Sequence, residues 1–349
     1  MHQKIILIGF GTVGQGLARI LLEKSANLKT DHQYEPTIVA VSDAMKGAVY
    51  CPTGLDPGIL LRLVEDGVTL DEYPDSGNCH TGWDAVTTIR EAEADVVCEL
   101  AYTNLETGEP ALTHCQTAFL TGKHVVTSNK GPAALAYRDM IALARKHDRM
   151  FGIEGTVMSG TPILNLARET LAGNRILAAR GILNGTTNYI LSEMEKGVTY
   201  QDALQKAQSL GYAEADPTGD VEGFDARAKV TILANVLLQQ NLKLNQVQCE
   251  GISGLTLEDI ALARQNNSRW KLIGNVSLTD NGIEAWVRPE MVPLTHPLAG
   301  IMGATNAITF TTDLLGNITV VGPGAGSTET GYSILIDLLT IHHSRRNFS

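Results

Sequence analysis

Lys4-Ile5-Ile6-Leu7-Ile8-Gly9-Phe10-Gly11-Thr12-Val13-Gly14 decides the fold. An apolar run ends in glycines, and apolar residues then recur at Val13, Leu17, Ile20 and Leu21 with helical spacing. That is a strand, a glycine turn and a helix. A Gly-x-Gly-x-x-Gly turn alone is a weak signal, but this one has the strand before it and the helix after it that a dinucleotide needs. The glycines let the backbone approach a pyrophosphate, whose charge the helix N-terminus meets. Gly9, Gly11, Thr12, Val13 and Gly14 are therefore expected to contact a dinucleotide cofactor.

Working outward, a polar connector (27–35) leads to a second strand (37–41) ending at Ser42-Asp43. An acid there bonds a ribose 2′-hydroxyl and favours NAD. Asp43 comes later than the usual offset, and Lys46 nearby can meet a 2′-phosphate, so NAD and NADP both stay open. Residues 47–82 read as irregular apart from a helix at 57–65. Strands at 95–100, 124–127 and 150–153 alternate with helices at 107–121 and 133–147, which predicts an α/β fold with a Rossmann-type, doubly wound parallel sheet. Ligands sit beyond the carboxyl ends of such strands. The loops 100–104 and 127–132 place Thr103, Asn104 and Ser128 there, and Lys130 adds a cation. The plainer alternative is turn and capping residues with a solvated lysine.

From residue 154 the pattern changes to α+β. Strands at 175–183, 270–277, 283–288, 307–312 and 317–321 accompany helices at 189–196, 201–210 (capped by Thr199) and 257–264. The last two strands flank Leu315-Gly316, a hairpin signal. Helices on one face of a mostly antiparallel sheet leave the other face for a second copy of the chain, so a homodimer is expected. Gly322-Pro323-Gly324-Ala325-Gly326 is a second glycine loop before a helix at 327–340. It is either a close approach to cofactor, with Gly326 in contact, or a flexible turn. The expected domains are 1–132 for the dinucleotide, 133–323 for substrate and dimerisation, and 324–349 as a C-terminal helix packing back near the first.

The stretch 210–229 gathers Glu214, Asp216, Asp220, Glu222 and Asp225 into a Gly/Pro-containing loop that enters a helix at 224–238. That helix is apolar on nearly every side, yet Asp225 and Lys229 stand one turn apart on it. On an amphipathic helix the pair would be a solvated one of small energetic weight. In a buried wall it suits proton transfer and the holding of a zwitterion.

Over 349 residues the net charge is −11 with no basic block, which argues against nucleic acid and anionic membrane as partners. No apolar run is long enough for a membrane span, and the N-terminus runs directly into the first strand, so a cytoplasmic protein is expected. Cys51, Cys79, Cys98, Cys115 and Cys249 are scattered without Cys-x-x-Cys spacing, and reduced thiols are expected.

With these residues in hand, the chain resembles homoserine dehydrogenase over nearly its whole length. The resemblance rests on the first glycine turn, Asn129-Lys130, Asn184-Gly185-Thr186-Thr187-Asn188, the block from Gly211 to Lys229, and the second glycine loop. It implies NAD(P)-dependent interconversion of L-homoserine and L-aspartate 4-semialdehyde. By the same resemblance Lys229 and Lys130 are the proton-transfer lysines, with the primary one undecided. Glu214, Asp220 and Asp225, with Gly185 and Thr186, bind substrate. It further implies a monovalent cation, Na+ or K+, at a loop matching Glu154, Val157, Ser159 and Thr161, although Met158-Ser159 departs from the small residues common there. Neither a kinase domain nor a regulatory ACT domain is expected.

Two rivals compete with this reading. A phosphorylating semialdehyde dehydrogenase would need a nucleophilic cysteine in a turn after a strand, whereas Cys98 falls inside a predicted strand and Cys115 inside a helix. A non-catalytic redox sensor would explain the glycine turn but not the acids and lysine of the second half.

Overall fold

The computed structural model describes residues 2–74 and 77–346. The chain divides into two compact units, Met1–Pro162 with Gly326–Ser349, and Ile163–Ala325.

In the first unit β1 (His2–Ile8) runs through the glycine turn into α1 (Thr12–Glu23) and α2 (Ser25–His32), then β2 (Glu35–Asp43), β3 (Gly47–Tyr50) and α3 (Pro57–Glu65). There follow β4 (His80–Thr81), α4 (Ala85–Glu91), β5 (Val96–Glu99), α5 (Ala111–Leu120), β6 (His124–Thr127), α6 (Lys130–Leu135), α7 (Tyr137–Lys146) and β7 (Phe151–Gly152). The sheet order is β4-β3-β2-β1-β5-β6-β7. Strands β2, β1, β5, β6 and β7 pair in parallel, and β3 and β4 add an antiparallel edge. Ile5 to Ile8 on β1 and Val96 to Cys98 on β5 are buried throughout, as strands covered on both faces must be.

Three expectations are corrected here. The connector at 27–35 is mostly helix: α2 buries only Leu28, so no apolar periodicity announced it. The helix expected at 133–147 is two, broken at Ala136 with φ −141° and ψ 25°. The boundary expected after residue 132 falls at Pro162, because β7 hydrogen-bonds to β6 and so belongs to the first sheet.

A fourth correction concerns the cysteines. Cys51 and Cys79 form a disulfide with Cα atoms 4.3 Å apart. The cause is strand register: β3 and β4 pair Val49 with Thr81 and Tyr50 with His80, so the next residues outward on the two strands face each other. Cys98, Cys115 and Cys249 are free.

The second unit begins with α8 (Ile163–Asn165), continued by a π-helical turn over Leu166–Thr170. After it come β8 (Ile176–Ile182), α9 (Gly185–Met194), α10 (Tyr200–Ser209), α11 (Thr218–Val221), α12 (Phe224–Leu237), β9 (Gln248–Cys249), α13 (Leu257–Gln265), β10 (Ser268–Thr279), β11 (Gly282–Pro293), β12 (Thr305–Thr312) and β13 (Gly316–Pro323). The sheet order is β13-β12-β8-β10-β11-β9, antiparallel throughout except where β9 meets β11. Thr199 caps α10 by accepting the N–H of Asp202, and β12 turns into β13 with Thr312 opposite Gly316. Helix α12 is buried along most of its length, from Ala226 to Val236.

The chain then returns to the first unit as α14 (Ser327–Arg346). It packs against α1: Ser327 Oγ donates to the carbonyl of Thr12 at 2.9 Å, and a Cβ on Gly331 would stand 2.7 Å from the Leu17 nitrogen. Among the described residues no helix is long and apolar enough to cross a membrane.

Candidate active site

In the second unit the expected substrate residues converge on Asn184, the N-cap of α9. Its Oδ1 accepts the Thr187 N–H at 2.9 Å. Its Nδ2 donates to Asp220 Oδ1 at 2.7 Å and to Asp225 Oδ2 at 3.0 Å. Lys229, 6% exposed, lies 2.7 Å from Asp225 Oδ2 and donates to the carbonyl of Leu183 at 2.7 Å. One amide, two carboxylates and one ammonium therefore form a continuous polar patch in an apolar wall. Burial first, and then the neighbouring Asp225 charge, push the Asp220 carboxyl above its ordinary pKa. Its environment thus resists a second negative charge.

The N-terminus of α9 is closely packed. Gly185 is its first residue, and a Cβ there would stand 2.6 Å from the carbonyl of Ala304, while Thr186 Oγ1 donates to the carbonyl of Tyr212 at 2.5 Å. Glu214 is the exception: it is exposed on the loop before α11, and its backbone carbonyl accepts from Gln208. Its carboxylate is not hydrogen-bonded to the Asn184 patch among the described residues.

In the first unit Gly9 has φ +97°, and a Cβ on it would stand 2.6 Å from the carbonyl of Leu100. Around Gly11 nothing lies within 4 Å of that position, and α1 starts at Thr12 and Val13 with no side chain capping its first N–H groups. Asp43 Oδ2 accepts the Phe10 N–H at 2.7 Å, and its Oδ1 accepts those of Met45 and Lys46, so the acid at the end of β2 is tied to the glycine turn. Lys46 Nζ stands 3.8 Å from the same carboxylate. These groups make an anion cradle with a negative group at one end.

Asn129 caps α6 by accepting the Gly131 N–H, which places Lys130, half-buried, as the first residue of that helix. Thr103 is exposed on the loop after β5. Asn104 Oδ1 accepts the N–H groups of Glu106 and Thr107, the turn role weighed above. Ser128 packs against Gly155, where a Cβ would stand 2.9 Å from Ser128 Cβ. Gly326 has φ +135° and precedes α14. Glu154, Val157, Ser159 and Thr161 are buried in one turn. Within it Ser159 has φ +41° and its Oγ accepts from Thr330 at 3.1 Å. Among the described residues no group of three or more His, Cys, Asp or Glu stands ready to hold a metal ion.

The cysteine chemistry of the first rival has no place here. Cys98 and Cys115 are fully buried, and burial pushes both thiols well above their ordinary pKa.

A family model described as homoserine dehydrogenase matches residues 162–339. A relative named NAD(+)-dependent homoserine dehydrogenase, from Pseudomonas canavaninivorans, is 47% identical over 98% of this chain and 96% of its own. The chain belongs to the homoserine dehydrogenase family. Its structure is similar to that of a putative homoserine dehydrogenase from Archaeoglobus fulgidus, with a TM-score of 0.86, 37% identity and coverage of 97% of this chain and 99% of the other. A hyperthermophilic archaeal homoserine dehydrogenase in complex with NADPH gives a TM-score of 0.80 at 28% identity, covering 97% of each chain. Both similarities span the chain, so the two units belong to the same family architecture.

One residue central to the patch was not singled out from the sequence. Asn184 is the first residue of Asn184-Gly185-Thr186-Thr187-Asn188. The signal was its place after a strand and before a helix, where an asparagine caps; that the same amide also reaches across to Asp220 and Asp225 was invisible.

Proposed function

We propose that the protein interconverts L-homoserine and L-aspartate 4-semialdehyde with a nicotinamide dinucleotide. The observation that carries this reading is the Asn184 amide bonded to both Asp220 and Asp225, with Lys229 beside Asp225. An amino-acid alcohol presents an ammonium, which two carboxylates suit, and a hydroxyl, whose proton must move. Lys229 as an ammonium carries three N–H donors, of which contacts to Leu183 and Asp225 engage two. We assign the third to the substrate oxygen: Lys229 protonates it as semialdehyde is reduced and takes the proton back in the reverse direction. Asp220 and Asp225, with Glu214, hold the substrate ammonium, Asn184 keeps the two aspartates in place, and Gly185 and Thr186 line the approach. Lys130 is assigned to the same reacting oxygen.

The cofactor supplies the hydride acceptor or donor at its nicotinamide ring. Gly9, Gly11, Thr12, Val13 and Gly14 are assigned to its pyrophosphate, Asp43 to the ribose, and Thr103, Asn104, Ser128 and Gly326 to the nicotinamide end. We favour NAD over NADP, because an acid at the end of the second strand suits a ribose 2′-hydroxyl better than a 2′-phosphate, Asp43 ends β2 tied to the glycine turn, and the Pseudomonas relative carries NAD(+) in its name. A monovalent cation at Glu154, Val157, Ser159 and Thr161 is supported by the burial of that turn around one carboxylate. A homodimer completes the reading, with the face of the second sheet bearing Arg180, Arg288 and Glu290 as the contact.

Steady-state assay of nicotinamide reduction with L-homoserine, run with each cofactor, tests the reading. The expected result is homoserine-dependent turnover with kcat/KM at least about tenfold higher for NAD. Absence of turnover with both cofactors would overturn the activity, and equal use of the two would overturn the preference.

A further inference from the structure

Glu99 ends β5 with 0% exposure, and nothing in the chemistry above uses it. A fully buried carboxylate is costly unless its oxygens find donors. Glu99 Oε1 accepts the Ala101 N–H at 3.3 Å and stands 3.3 Å from Nδ1 of the buried His114 on α5. Its Oε2 lies 3.3 Å from Oγ1 of Thr127, the last residue of β6. The backbone carbonyl of Glu99 accepts the Thr127 hydroxyl at 2.6 Å.

The connection continues outward. Thr127 Oγ1 accepts the Asn129 N–H at 2.9 Å. The Asn129 side chain donates to the carbonyls of Ala101 and Tyr102 at 3.1 and 2.9 Å, and it caps the helix that Lys130 begins. Two loops leave the sheet here at the carboxyl ends of adjacent parallel strands, where ligands of such sheets bind. Glu99 joins the two: its carboxylate holds the Ala101 N–H and lies beside the Thr127 hydroxyl, which its backbone carbonyl accepts.

We infer that Glu99 is a positioning residue for Lys130. With His114 it locks the loop after β5 to the loop after β6, and so fixes where the Lys130 ammonium stands. The inference rests on the assignment of Lys130 to the reacting oxygen.

Three substitutions test it. Glu99→Met keeps the length of the side chain and leaves the Ala101 N–H without its acceptor; Glu99→Gln keeps an oxygen for that N–H. Glu99→Met is expected to lower kcat at least about thirtyfold, with KM for L-homoserine and Kd for NAD within about threefold, while Glu99→Gln stays within about fivefold of the native protein in kcat. Amide exchange should accelerate about tenfold or more in residues 101–104 and 129–131 of Glu99→Met and remain unchanged in β1 and α1. If Glu99→Met does not fold, Thr127→Val, which removes the hydroxyl lying between Glu99 and the Asn129 N–H, should show the same acceleration in residues 101–104. Unchanged exchange in both loops, or a kcat within about twofold of native at equal folded fraction, would overturn the inference. Native protein assayed alongside separates the two ideas: its failure to oxidise homoserine would refute the proposed reaction, while the exchange comparison would still decide the positioning.

Discussion

The ammonium of Lys229 stands 2.7 Å from Asp225 Oδ2, one helical turn away on α12, and both side chains are largely withdrawn from solvent. Removing one partner of a buried pair leaves the other charged group without compensation. Asp225→Asn should lower the unfolding free energy by about 3 kcal/mol in denaturant titration, and adding Lys229→Met should recover most of that loss. Equal stability of native protein and Asp225→Asn would show that the pair is solvated in solution.

Asp220 leads to the opposite stability effect. Its carboxyl is shifted upward by burial and by Asp225, so the folded state holds its proton more tightly than the unfolded state does. Stability from this group is therefore lost as pH rises from the ordinary carboxylate range through the raised value, and at neutral pH its ionised form costs free energy. Asp220→Asn should raise Tm at pH 7 while lowering kcat/KM for homoserine by about tenfold or more. A lower Tm would reject this account of the group.

How much of this was legible beforehand differs from element to element. The strand, glycine turn and helix at the N-terminus are local signals, and so is the hairpin across Leu315-Gly316. The pairing of Asp225 with Lys229 was legible too, because both lie on one face of a helix that is apolar on nearly every side. Asn184 reaches Asp220 and Asp225 across 36 and 41 residues of chain, and no local pattern encodes such a distance. Helix α2 escaped notice because it has almost no buried face. The Cys51–Cys79 bond escaped because its register is set by β4, a strand of two residues with no periodicity to read.

That disulfide closes a loop of 28 residues, a constraint worth roughly 3–4 kcal/mol in the chain-entropy account. Thiol titration of unfolded, unreduced protein should find three free cysteines, and five after reduction. Reduction should lower Tm. Five thiols before reduction would contradict the bond.

Lys271 is fully buried on β10, donating to Asn188 Oδ1 at 2.9 Å and to the carbonyl of Ile301 at 2.5 Å. Burial lowers its pKa to about 8, with Glu195 opposing and Arg269 assisting. Between that value and the ordinary lysine value the unfolded chain binds more protons than the folded one, so stability rises with pH across this window. From pH 7.5 to 9.5, the native protein should gain roughly 2 kcal/mol relative to Lys271→Met. Parallel curves for the two proteins would refute the shift.

The proton role of Lys229 is the centre of the account, and the most direct test is turnover of Lys229→Ala with L-homoserine at saturating NAD. The account predicts a kcat about a thousandfold below that of the native protein, with Kd for NAD changed by less than about threefold. A kcat within about tenfold of native would contradict it.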